Sequence, residues 1–71
     1  MSYPDPNSVY DSFKVRNQDP SYEHRKAVYY GNYGFGEIYN GSPEQNERLN
    51  NDVKSGKIDF CHLGYREPDP Y

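Results

Sequence analysis

The sequence predicts a small α+β domain: a β-hairpin, one helix and a further strand, with extended proline-containing arms at both termini. Three observations carry this reading. Ser42-Pro43-Glu44-Gln45 places an N-cap, a helix-opening proline and a capping-box glutamine in register. Aromatic and β-branched runs flank Gly31-Asn32, a dipeptide suited to a primed hairpin turn. Pro4-Asp5-Pro6 and Pro68-Asp69-Pro70 bracket the chain, and proline fixes its own φ while pushing its predecessor to extended geometry.

Taken in order, residues 1–7 read as an N-terminal arm, 8–66 as the domain and 67–71 as a C-terminal arm. An extended arm spans at most about 3.3 Å per residue, so it can lie along a partner without a core of its own. Between Ser8 and Asn17, Val9, Tyr10 and Phe13 suit a helical face while Phe13 and Val15 suit a strand; a short strand or turn is expected. Asp19 to Tyr30 has two readings. In one, Asp19 caps a helix with Pro20 at its first position and Gly31 just past its end. In the other, Ala27-Val28-Tyr29-Tyr30 and Tyr33 to Tyr39 pair as a hairpin. Val28, Tyr29 and Tyr30 together are poor helix formers, which favours the hairpin.

Ser42 to Ser55 is the clearest element. Leu49 and Val53 form its thin apolar stripe, and Gly56 stops it. Lys57 to Leu63 then alternates, with Ile58 and Phe60 opposite Cys61 and Leu63, as in a strand.

Composition narrows the function. The chain has 71 residues, and one this short buries only about 60% of its unfolded surface. Val, Leu, Ile and Phe number 11, below the roughly 20% of a comfortable aliphatic core. A net charge of −3 is too small for a chain disordered throughout, and nine tyrosines add apolar area. A self-contained enzyme lacks the scaffold it needs, so no catalytic residue, cofactor or small-molecule substrate is expected.

No apolar run reaches ten residues, which argues against a membrane span, and the first residues lack the pattern of a signal peptide. A single cysteine, Cys61, forms no internal disulfide, which suggests a reducing compartment: a cell interior, or a virion assembled inside one. The sequon Asn40-Gly41-Ser42 then reads only as a turn. A pI near 5.2 argues against a duplex nucleic-acid partner.

Several constellations bear on chemistry. Lys54-Ser55-Gly56-Lys57-Ile58-Asp59-Phe60 resembles part of an EF-hand loop. Aligned on Gly56, however, it puts Val53 and His62 where hard oxygen ligands belong, so a glycine-capped helix is the better reading. Tyr33-Gly34-Phe35-Gly36-Glu37-Ile38-Tyr39 resembles the RNA-stacking strand of RNA-recognition and cold-shock domains. Tyr33 and Glu37 stand where that motif has a cation and an aromatic, although Tyr29, Tyr33, Phe35 and Tyr39 could stack bases. His24, Cys61 and His62 are too few and wrongly spaced for a metal.

The tyrosines are the strongest signal. Tyr22, Tyr29, Tyr30, Tyr33 and Tyr39 fall with Phe35 inside eighteen residues. Their hydroxyls need partners, and tyrosine is enriched at interfaces, so core plus interface is preferred over core alone. The expected partner-binding set is Tyr22, Tyr29, Tyr30, Tyr33, Phe35 and Tyr39, with Tyr3 and Tyr71 on the arms. The expected function is a non-enzymatic accessory or structural subunit on the surface of a larger protein assembly, such as a virion. The alternatives are a phage-type inhibitor of a host protein and a single-stranded nucleic-acid binder.

Overall fold

A computed structural model describes residues 5–65. They form three helices: α1 (Val9–Val15), α2 (Tyr22–Tyr33) and α3 (Pro43–Lys54), with no strand among the described residues. The α+β expectation is overturned: both arms of the expected hairpin are absent, and so is the strand after α3.

The first helix starts where Ser8 Oγ accepts a hydrogen bond from the Asp11 amide, with the Asp11 carboxylate in the positively polarised first turn. It ends in a Schellman motif. Gln18 N donates to Phe13 O at 2.9 Å and Asn17 N to Lys14 O at 3.0 Å, with Asn17 at φ 58°. The expected strand or turn over Ser8–Asn17 is thus a seven-residue helix whose single large core residue is Phe13.

In α2 the cap is Ser21, not Asp19. Ser21 Oγ accepts from His24 N, while the Asp19 carboxylate turns back to Ser21 N at 2.9 Å. The helix then runs straight through Gly31-Asn32. Neither residue makes a turn, because both serve the contact between α2 and residues 59–64. A Cβ on Gly31 would lie 1.8 Å from His62 O. The Asn32 side chain accepts from Asp59 N at 2.9 Å and donates to Asp59 O at 3.1 Å. Gly64 N completes the clasp, donating to Ala27 O at 2.9 Å.

The third helix follows the sequence closely. Ser42 and Gln45 form a reciprocal capping box, Pro43 opens the first turn, and Gly56 at φ 76° closes a second Schellman motif through Lys57 N to Asp52 O. In the segment after it Ile58 and Phe60 pack on the core, but the expected strand is absent: residues 60 and 61 form a turn, and Cys61, His62 and Leu63 are all exposed.

The core comprises Val9, Phe13, Val28, Tyr29, Tyr30, Tyr39, Leu49 and Val53. Helices α1 and α3 are locked by a buried hydrogen bond from Ser12 Oγ to Asn50 Oδ1. Asn50 Nδ2 donates to Pro6 O at 2.9 Å, and Arg16 Nη2 to Val53 O at 2.9 Å. Asp5 to Asn7, read as arm, therefore rest on the chain's own helices, with Asp5 N also bonded to Asp11 Oδ2. The remaining arm residues, 1–4 and 67–71, including Tyr3 and Tyr71, lie outside the described residues.

Candidate partner-binding surface

Four tyrosine rings form a continuous chain through the molecule. Tyr22 faces Tyr39 at 5.5 Å, Tyr39 faces Tyr29 at 4.9 Å, and Tyr29 meets Tyr33 edge-on at 4.6 Å. A cation covers each end: Lys26 Nζ lies 5.6 Å from the Tyr22 ring and the Arg48 guanidinium 3.8 Å from the Tyr33 ring. Each hydroxyl is satisfied within the fold. Tyr29 donates to Glu37 Oε1 at 2.6 Å, Tyr33 to Asp52 Oδ2 at 2.5 Å, and Tyr39 to Asn46 Oδ1 at 2.5 Å. Tyr30 Oη accepts from Tyr39 N at 2.9 Å, and Tyr22 Oη donates to Tyr39 O at 3.1 Å. These internal partners explain how so small a domain buries Tyr29, Tyr30 and Tyr39.

Burial raises the pKa of Tyr29, Tyr33 and Tyr39 above the ordinary 10.0, and the Glu37 and Asp52 carboxylates raise the first two further. The folded state therefore keeps protons that the unfolded chain releases above that value. Stability is unaffected below it and falls as pH climbs past it. Urea unfolding between about pH 8 and about pH 11 should show a falling midpoint, and Tyr33→Phe should flatten the fall. A midpoint constant to the alkaline end would mean that these phenols ionise freely in the folded protein.

One group of exposed apolar side chains lies beside this chain, on the segments that meet at Tyr30. Gly34, at φ 87° and ψ −173°, adopts a conformation essentially reserved for glycine as the chain leaves α2. Phe35 then stacks on the Tyr30 ring at 5.2 Å. The Ile38–Tyr39 stretch is fixed by Tyr30 Oη on Tyr39 N and by Gln45 Nε2 on Ile38 O at 2.8 Å. Gly64 lies so close that a Cβ on it would stand 3.0 Å from Tyr30 Cβ. Three separate segments thus converge on one buried tyrosine. They carry Phe35, Ile38, Leu63 and Tyr65, which are 49%, 46%, 36% and 70% exposed.

The expected binding residues divide accordingly. Tyr29, Tyr30 and Tyr39 are interior and serve as the backing of the surface, not as its contact atoms. Tyr22 and Tyr33 are the partly exposed ends of the ring chain, and Phe35 is on the surface itself. Sequence reasoning missed Ile38, Leu63 and Tyr65. The available signal was the alternation over 57–63, which set Leu63 opposite Ile58 and Phe60. Of the four rings expected to stack bases, only Phe35 is half exposed, and Arg48 already covers Tyr33.

His24 packs edge-on against Phe13 and pairs with Gln18, and Cys61 is exposed. Among the described residues, no three His, Cys, Asp or Glu side chains gather as a metal site. No helix among them is long and apolar enough to cross a membrane. Comparison with protein families, with characterised proteins and with solved structures gives no match to this chain.

Proposed function

We propose that this chain is a non-enzymatic interaction module, an accessory or structural subunit that docks on a larger protein assembly. The observation that supports this is that the three segments meeting at Tyr30 carry the exposed side chains of Phe35, Ile38, Leu63 and Tyr65. The chain has only 11 Val, Leu, Ile and Phe residues, and three of them are exposed on these segments. Scattered apolar side chains need no explanation, whereas a cluster on a rigid backing marks a contact surface. The backing matters energetically, because side chains already held in place lose less entropy on binding.

The test is an affinity measurement against the partner isolated with the tagged chain under nuclease treatment. Phe35→Ala, Ile38→Ala and Tyr65→Ala are compared with Glu44→Ala, an exposed α3 position. At least one of the three should weaken binding by about 2 kcal/mol or more, as an interface hot spot does. Glu44→Ala should leave it unchanged. Folded variants that all bind like the parent would remove this face from consideration, and loss of the partner on nuclease treatment would favour nucleic acid instead.

A further inference from the structure

A second feature lies elsewhere, where the C-terminal ends of α1 and α3 meet the chain's entry segment. A cleft of about 260 Å³ opens there. Its apolar walls are Pro6, Val15 and Val53, and Arg16, Lys54 and Asp5 stand on its rim. We infer that it binds an extended segment of a partner protein in which an acidic side chain adjoins an aliphatic one.

Charge complementarity carries the inference. Arg16 and Lys54 border the same cleft, and neither has a carboxylate within ion-pair distance among the described residues, although the protein is net acidic. Each is already positioned by a carbonyl: Arg16 Nη2 donates to Val53 O at 2.9 Å and Lys54 Nζ to Pro6 O at 3.0 Å. A guanidinium has five N–H donors and an ammonium three, so both keep donors for a carboxylate. Because the two heads are held in advance, binding orders little that is not already ordered.

Size and the third rim residue select the occupant. The volume falls just below the usual range for small-molecule pockets, about 300–1,000 Å³, and suits one or two side chains. The Asp5 carboxylate takes the Asn7 amide at 2.9 Å and has acceptor capacity left over. It repels a second anionic group, which disfavours polyanions, and it can accept a main-chain N–H, which a peptide supplies. The inference rests on the interaction-module reading only in making the ligand a protein segment. The cleft and the Tyr30 face share no residue, so either can fail without the other.

The experiment titrates acetyl-Leu-Glu-Leu-amide into the native chain and follows backbone amides by two-dimensional NMR. Saturable shifts are expected at Val15, Arg16, Val53 and Lys54. Acetyl-Leu-Gln-Leu-amide should bind at least about fivefold more weakly, because it lacks the charge-assisted bonds. Lys54→Gln should weaken the glutamate peptide by a similar factor and leave the glutamine peptide unaffected. Equal binding of the two peptides, shifts confined to Phe35, Ile38, Leu63 and Tyr65, or no shifts at all would each overturn the proposal. The peptide comparison uses the unaltered protein, so a variant that unfolds does not excuse a negative result.

Discussion

Gly31→Ala should destabilise this protein by about 2–3 kcal/mol or more, as overpacking does when the obstructing atoms cannot swing away. Helix propensity alone gives the opposite sign, since alanine is favoured over glycine in a helix interior by about 1 kcal/mol. The steric effect wins because of what the new methyl would meet. His62 O would be 1.8 Å away, His62 C 2.6 Å and Leu63 C 2.9 Å, all main-chain atoms. Residues 62–64 would have to move off α2, breaking the hydrogen bond from Gly64 N to Ala27 O and exposing Phe60. Gly36→Ala is the matched control, because a Cβ there meets nothing within 4 Å. Urea denaturation of both variants decides the matter: a Gly31→Ala protein as stable as the parent would mean that the 62–64 segment does not lie against α2.

Phe13→Ala should cost about 3–5 kcal/mol, the usual range for truncating a buried phenylalanine. A single core in a domain this small rarely supplies more than about 3–5 kcal/mol in total, so the variant should be largely unfolded at room temperature. The site has no means of collapsing around the loss. Phe13 is fully buried, contacts Phe60 edge-on at 5.3 Å and His24 at 6.0 Å, and is the only large apolar residue that α1 puts in the core. A seven-residue helix has no stability of its own, so α1 depends on that contact. Far-UV circular dichroism across a thermal melt is the check. A variant that keeps a cooperative transition with less than about 1 kcal/mol lost would show that α1 is held by its polar contacts to α3 instead.

How much of this was legible in the sequence depended on how local the cause was. The third helix was readable because Ser42, Pro43, Gln45 and Gly56 act within a few residues of themselves. The second was not, because Gly31 and Asn32 are a turn signal by local rules and a docking surface by tertiary ones. The glycine is there because another stretch of backbone passes within contact distance, and no local pattern contains that stretch. Likewise Asp19 looked like a cap, but its carboxylate serves the Ser21 amide, leaving Ser21 to cap the helix. The tyrosine cluster was recognised, and its division was not. Tyr29 and Tyr39 are interior only because Glu37 and Asn46 accept hydrogen bonds from their hydroxyls, pairings set by where the 34–41 loop returns. The apolar face was legible at Phe35 alone, since Leu63 and Tyr65 flank Gly64, which meets Tyr30 from a distant part of the chain.

The clasp of residues 59–64 over α2 also bears on the tempo of folding. Helix formation takes on the order of a microsecond, and helical proteins with local contacts fold fast for that reason. Here Asn32 bonds Asp59 across 27 positions, and Gly64 returns to Ala27. Closing a loop of that length must precede any reward from the contact. The protein is helical in content, yet its slow step should be the closure of a non-helical strap, giving a rate nearer that of mixed topologies. The same strap should be the first part to lift when the native state opens, uncovering Phe60 before any helix frays.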